Sequence, residues 1–388
     1  MTWMLVALAW VGVMLAWVQL VALRRHLASP RRSPDTFPPI SVLKPLCGID
    51  DDLWGNLESF AAIDYPDFEV VLGARDRDDP AWRVAEAAAV RWPGRFRAVL
   101  QRGEAGMNPK VNQLIGLAAS ARHDVLLVSD SNVRAPAGYL LDVAIHLADP
   151  EVGLVTHAVA GTGETSLGAT LDNLQSAASV GPATIAAKRL SGRDVVVGKS
   201  MAFRRRDLEA LGGFESVKDV LAEDYVLGVN VSRRLGKRVA IGSVPILNVN
   251  RNRTPRDFLS RYGRWCVMQR KIAGTPLYAS QLLLYPLPFA AAAAVIDPAP
   301  ATMALVLLAV GMKAILDGVA AQTLRGSGFG ARVLLLSPLK DVLFTIAFAR
   351  AFLENTVEWR GNRFRVLPGS RLERVRAPAA DGTLVLEP

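Results

Sequence analysis

The sequence predicts an α/β domain built on a mostly parallel sheet and held at a membrane from both ends. Three observations carry this reading. Between residues 40 and 147, short apolar, β-branched runs alternate with helical patterns, the order of a sheet covered on both faces. Residues 3–23, WMLVALAWVGVMLAWVQLVAL, carry no charge and, as a helix, would be roughly 31 Å long, enough for a hydrocarbon core of about 30 Å. The other long apolar runs gather near the C-terminus of the 388-residue chain.

The first run reads as a membrane span. A cleaved leader would place basic residues ahead of a shorter apolar stretch, whereas Arg24, Arg25, Arg31 and Arg32 come after it. Positive charge on that flank assigns the following domain to the cytoplasmic side. Residues 29–39 are proline-rich and form a short stiff linker. Strands and helices then pair off: 40–43 with 53–63, 68–73 with 81–91, 96–100 with 111–121, and 125–128 with 139–147. Glu223 and Asp224 open a helical segment over 225–235, and a basic amphipathic helix over 256–271 leads to the membrane.

Runs 278–296 and 301–321 flank Asp297-Pro-Ala-Pro and read as two membrane helices joined by a tight hairpin. Run 333–353 contains Pro338, Lys340 and Asp341. Charge at mid-membrane depth is costly, so a tilted, bent or re-entrant helix competes with a full span there. The tail bears Arg360, Arg363, Arg365, Arg371, Arg374 and Arg376. Four full spans from an external N-terminus would put those arginines outside, against the positive-inside rule. The chain thus divides into an N-terminal membrane helix (1–30), a soluble domain with its basic helix (31–275), C-terminal membrane helices (276–355) and a basic tail (356–388).

Composition removes other classes. With 51% apolar and 21% charged residues, the chain is neither disordered nor fibrous. Cys47 and Cys266 are too few for a disulfide framework and read as reduced thiols facing the cytosol. The net charge of +9 comes without a basic-aromatic nucleic-acid module, so it points to anionic membrane lipids and not to nucleic acid. There is no Walker loop and no G-x-G-x-x-G, and the four histidines show no metal spacing.

Ligands of parallel sheets gather beyond the carboxyl ends of the strands, which singles out residues 74–80 and 129–132. Asp76, Asp78 and Asp79 crowd the first turn. Such a cluster suits a cation or a hydrogen-bonding ligand, a solvated acidic turn being the alternative. Leu126-Leu127-Val128 delivers Asp130 to the sheet rim, and Asn132 follows on the same turn. That pair can present oxygens to Mg2+ or Mn2+ carrying a diphosphate. Glu223 and Asp224 either complement a helix dipole or serve the site. Arg261 and Arg264 share a helix face beside Trp265, and either meet anionic headgroups or clamp a diphosphate.

Taken in order, SVLKPLCGID (41–50), NLESFAAIDYP (56–66), RDRDDPA (75–81), NPKVNQL (108–114), VSDSN (128–132), AEDY (222–225), RYGRW (261–265) and TVEWRGNRFRV (356–366) resemble the ceramide glucosyltransferases. These are membrane-embedded, inverting glycosyltransferases of the GT-A fold that use UDP-glucose. The resemblance implies a Rossmann-like GT-A domain, a UDP-sugar donor, a lipid acceptor such as ceramide and a Mg2+ or Mn2+ cofactor. It places the protein in the inner, cytoplasmic membrane as a multi-pass enzyme with its catalytic domain on the cytoplasmic side.

Motif by motif, the resemblance assigns the first two family aspartates to Asp79 and Asp130 and the catalytic base to Asp224. Asp76, Lys110, Glu223, Arg261, Arg264 and Trp265 join the UDP-sugar site, with the metal on Asp130 and Asn132. Two departures stand out: Asp-Ser-Asn replaces a motif with a second acid, and residues 180–183, Val-Gly-Pro-Ala, lack the histidine that animal ceramide enzymes carry near the acceptor. Glycosylation of hopanoids with UDP-GlcNAc or UDP-galactose, a processive polysaccharide synthase and an inactive membrane adaptor are the competing readings.

Overall fold

A computed structural model describes residues 1–29, 36–359 and 362–375. Arg31, Arg32, Arg360, Arg376, most of the expected linker and the end of the tail lie outside the described residues. The chain opens with α1 (Thr2–Leu27), then β1 (Ile40–Pro45), α2 (Leu53–Ala61), β2 (Phe68–Ala74), α3 (Pro80–Arg91) and β3 (Phe96–Leu100). Next come α4 (Pro109–Ser120), β4 (Val125–Ser129), β5 (Val133–Arg134), α5 (Tyr139–Leu147), β6 (Val152–Thr162) and α6 (Leu167–Gln175). A π turn (Ser176–Val180), α7 (Gly181–Ser191), β7 (Ser200–Arg204), α8 (Arg205–Ala210), α9 (Glu223–Leu235), β8 (Arg238–Val249) and α10 (Pro255–Ala273) complete the α/β domain.

The eight strands lie in the order β3-β2-β1-β4-β7-β6-β8-β5. β1 runs parallel to β2 and β4, β2 to β3, and β6 to β8. β7 is antiparallel to both its neighbours, and β5 to β8. The sheet is thus mixed and mostly parallel, as expected, and the four strand-helix pairs read from the sequence are all present.

Side chains alternate across the strands. Val70, Leu72, Val42 and Leu127 face one core with Leu57 and Phe60 of α2, Ala85 of α3 and Val143 of α5. Val71, Leu43, Leu126 and Val128 face the other, with Val111 and Leu114 of α4 and Leu227 and Val231 of α9. Burial of each of these Val, Leu and Phe side chains contributes about 1.5–3 kcal/mol. Two covered faces leave the strand ends as the open edge.

Among the described residues, two helices are long and apolar enough to cross a membrane: α1 and α13 (Pro300–Arg325), each 26 residues. The expected helix over 278–296 is broken instead into α11 (Thr275–Ser280), a 3-10 turn (Gln281–Leu284) and α12 (Pro286–Ile296), with a 76° bend. Pro286 offers no N–H and pushes Tyr285 into extended backbone (φ −119°, ψ 100°). Ala9 of α1 packs with Ala290 and Ala293 of α12, and Gly12 lies close to Leu283 and Pro286. Small residues at these points let the helices approach.

The ambiguous run forms α14 (Val333–Arg350). Arg325, at the end of α13, pairs with Glu164 of the α/β domain at 2.8 Å. Beyond α14, Arg270 of α10 donates to the Glu354 carbonyl (2.9 Å) and to Asn355 (2.7 Å). Both flanks of α14 therefore meet the α/β domain, and Phe344, Ala347 and Phe348 pack on Phe258, Tyr262 and Cys266 of α10. Its charges are buried in pairs: Lys340 meets Asp341 (2.5 Å) and Asp317 (3.0 Å), and Lys313 meets Asp317 (2.6 Å).

Residues expected as a plain basic tail fold into β9 (Thr356–Trp359), β10 (Asn362–Val366) and β11 (Leu372–Arg374). This antiparallel sheet buries Phe364, Val366 and Leu372 against Leu221 and Phe258. Leu221 N–H donates to the Ser370 carbonyl and Leu372 N–H to the Asp219 carbonyl, each at 2.8 Å.

Candidate active site

A cavity of about 1920 Å³ opens at the carboxyl ends of β1, β2 and β4. Asp76, Asp79, Lys110, Asp130, Asn132, Glu223, Asp224, Arg261, Arg264 and Trp265 all line it. The structure thus gathers every site residue expected from the sequence, although they come from five separate motifs.

The turn after β2 splits into two roles. Asp76 accepts from the N–H groups of Asp78 and Asp79 and is half exposed, so it mainly shapes its own turn. Asp79 caps α3 by accepting from Ala81 N–H at 2.9 Å, and accepts from Gly48 N–H at the same distance. It therefore ties the loop after β1 to the start of α3 at the cavity wall.

The centre of the site is a chain of alternating charges. Lys110, on the first turn of α4, lies 3.0 Å from Asp130 Oδ1, 3.1 Å from Glu223 Oε1 and 2.7 Å from the Gly198 carbonyl. Lys199 lies 3.0 Å from Asp130 Oδ2 and 2.8 Å from Asn132 Oδ1. Burial by itself would raise the Asp130 pKa, but Lys110 and Lys199 outweigh it and hold the carboxylate well below its usual range. Burial likewise opposes the Lys110 ammonium, and Asp130 and Glu223 overcome it, so Lys110 stays charged. Lys44 at the end of β1 donates to the Asp130 carbonyl at 2.8 Å, and its burial pushes its pKa down to about 7.

Asp224 stands on the first turn of α9. Its Oδ2 accepts from Gly198 N–H and its Oδ1 from Tyr225 N–H, both at 2.7 Å. Burial, with the Glu223 carboxylate beside it, raises its pKa to about 7, the range a general base needs at neutral pH. On α10, Thr254 and Asp257 form a capping box, and Phe258, Tyr262, Cys266 and Val267 bury one face. The adjoining face carries Arg261, Arg264 and Trp265 to the cavity. Asp172 accepts from Arg261 (2.7 Å) and from Tyr262 (2.8 Å), and the Arg261 guanidinium lies 5.1 Å from the Trp265 ring centroid. Asp172 and Trp265 thereby hold Arg261 at the cavity wall.

The expected metal pair departs from a divalent site. Both oxygens of Asp130 and the amide oxygen of Asn132 face ammonium groups. Hard divalent ions need such oxygens bare.

Sequence reasoning missed Lys44, Asp172 and Lys199. Lys44 did leave a signal, a charge inside the apolar run of β1. Asp172 and Lys199 left none, because each acts through a partner distant in sequence.

The chain matches Glycosyl transferase family 21 over residues 4–372. It is 30% identical over 232 residues to ceramide glucosyltransferase 1 of Caenorhabditis elegans, a match spanning 59% of this chain and 49% of that relative. It is 27% identical over 352 residues to ceramide glucosyltransferase 3 of the same organism, spanning 87% and 74%. A mannosyltransferase from Pyrobaculum calidifontis, solved with GDP-Man and Mn2+, aligns over 90% of this chain and 99% of its own, with a TM-score of 0.44 and 18% identity. The α/β architecture, the apolar N-terminal helix and the cavity at the strand ends accord with the GT-A class that the motifs implied. With the match running through nearly all of its length, this chain belongs to glycosyl transferase family 21 and is a glycosyltransferase.

Proposed function

We propose that this enzyme transfers a sugar, glucose by its resemblance, from a UDP-sugar to the hydroxyl of a membrane lipid, ceramide above all, with inversion to a β-glycoside. One observation carries the reading. The cavity that holds Asp130, Asp224 and Arg264 is also lined by Leu15 and Val18 of α1 and by Leu284, Tyr285 and Phe344. A polar site continuous with apolar helices suits an acceptor whose hydroxyl lies at headgroup level. Ceramide glucosyltransferases among the relatives support the same class of acceptor.

In this reading the uridine lies near the Asp79 turn and the diphosphate near Asp130, with Arg261, Arg264 and Trp265 walling the leaving group. Asp224 removes the lipid proton as the oxygen attacks the anomeric carbon. A positioned base contributes about 10² to 10⁴ in rate, and fixed positive groups around the departing UDP contribute through charge stabilisation. No step in this reading runs through a metal ion.

For the membrane arrangement, we infer that α1 and α13 span, that the bent pair of α11 and α12 forms a third crossing, and that α14 is re-entrant. Arg24 and Arg25 at the end of α1 favour a cytoplasmic catalytic domain. Strands β9, β10 and β11 then lie on the same side, which relieves the charge conflict of Arg363, Arg365, Arg371 and Arg374.

Incubation of the purified chain with UDP-glucose, UDP-galactose or UDP-GlcNAc against ceramide and hopanoid acceptors, with products identified by mass spectrometry, tests the reaction. A single β-glucosylated ceramide is the expected product. A polymer, or product from hopanoid alone, would overturn the acceptor assignment.

A further inference from the structure

Lys199 belongs to none of the motifs, yet it stands in the cavity at the entry to β7. Its neighbour Ser200 is pinned from behind. Tyr139 Oη and His157 Nδ1 each lie 2.7 Å from Ser200 Oγ, and His157 Nε2 lies 3.2 Å from Asp142 Oδ2. These groups are buried and do not line the cavity. They act as a brace for the backbone that carries Lys199.

Lys199 and Lys110 take opposite oxygens of one carboxylate, each at 3.0 Å, with side chains only 15% and 16% exposed. A divalent ion on Asp130 and Asn132 would have to displace Lys199 and then sit among ammonium groups, where repulsion is weakly screened. An anionic diphosphate meets the opposite situation. Each ammonium has three donors, and the two contacts of Lys199 leave one uncommitted.

We propose that Lys199, with Lys110 beside it, is the diphosphate-binding cation of this enzyme and takes the place of the expected metal, so that the UDP-sugar binds and UDP leaves without one. The proposal rests on the UDP-sugar reading above. As the lipid oxygen bonds to the anomeric carbon, the bond from that carbon to the β-phosphate oxygen breaks. The electron pair goes to the phosphate oxygen, where the ammonium meets it, and the lipid proton goes to Asp224.

Calorimetric titration of UDP into the full chain in detergent, after EDTA treatment and with or without added Mn2+, tests this. The dissociation constants should agree within about threefold, whereas Lys199→Met should weaken metal-free binding by about tenfold or more, the scale of a lost charged hydrogen bond. Added Mn2+ should recover part of that loss, because the substitution bares Asp130 Oδ2 and Asn132 Oδ1. Lys199→Arg should bind UDP more tightly than Lys199→Met, which separates loss of charge from loss of fold. Binding by the parent only when Mn2+ is present, or an unchanged constant in Lys199→Met, would overturn the proposal and leave the UDP-sugar reading intact. No UDP binding under either condition would overturn both.

Discussion

Changing the pH through the titration of Asp224 should switch the proposed transfer on and off. Its carboxyl is raised to about 7 by burial and by Glu223, against the two N–H groups that favour ionisation. Only the ionised form can accept the lipid proton. Below pH 7 the ionised fraction falls about tenfold per unit, so kcat/KM should drop about tenfold between pH 6 and pH 5 and level off above about pH 8. Asp224→Asn should cost about 10² to 10⁴ in kcat, or roughly 3–5 kcal/mol of transition-state stabilisation, and should abolish the acid limb.

UDP affinity should stay within a few-fold in this variant, because Asp224 serves the acceptor. Stability offers a second readout. A carboxyl whose folded pKa lies above its unfolded value favours the folded state when protonated. That contribution is complete below about pH 4 and is lost as the pH rises through about 7. Asp224→Asn should therefore flatten the pH dependence of thermal unfolding in that window. Turnover in mixed micelles across pH, with UDP titrated into the variant, measures all of this. An acid limb centred near pH 4, or more than a tenth of parental turnover in Asp224→Asn, would refute the assignment of the base.

Asp79→Ala removes the cap of α3 and the tie to Gly48. It should cost about 0.5–2 kcal/mol in chemical unfolding and weaken UDP binding measured in the same preparation. Lys340→Met leaves Asp317 and Asp341 sharing Lys313 in a buried site. A loss of about 3–5 kcal/mol, seen as a lower Tm in detergent, should accompany unchanged UDP affinity in the folded fraction, and Lys340→Arg should recover most of the stability.

Much of the catalytic domain was legible because its signals are local. The strand-helix pairs from β1 to α5 advertise themselves through short apolar runs that recur in turn with helical periodicity, and Leu126-Leu127-Val128 places Asp130 at a strand end whatever surrounds it. β6 to β8 were not read, since they break the regular strand-then-helix order that marks β1 to α5: α6, a π turn and α7 separate β6 from β7, and α8 and α9 separate β7 from β8. The break at Pro286 was written in the sequence, but a long apolar run masked it. The fate of α14 was not local at all, because its charges are satisfied by Lys313 and Asp317 of α13 and its flanks by the α/β domain.

The sequence by itself determined the class of the fold and the long apolar N-terminal helix, since each follows from neighbours along the chain. The acids and arginines that line the cavity were singled out by the resemblance of their motifs. Only the tertiary structure decided which charges meet. The antiparallel pairing of Ser129 with Ser200 brings Lys199 against Asp130 across 69 positions of sequence, and Asp172 reaches Arg261 across 89. Whether Asp130 faces a metal or an ammonium depends on the summed charge that four distant segments bring to one buried point. No local pattern encodes that sum, because Coulomb interactions in a dry site depend on distance in space and not on distance along the chain.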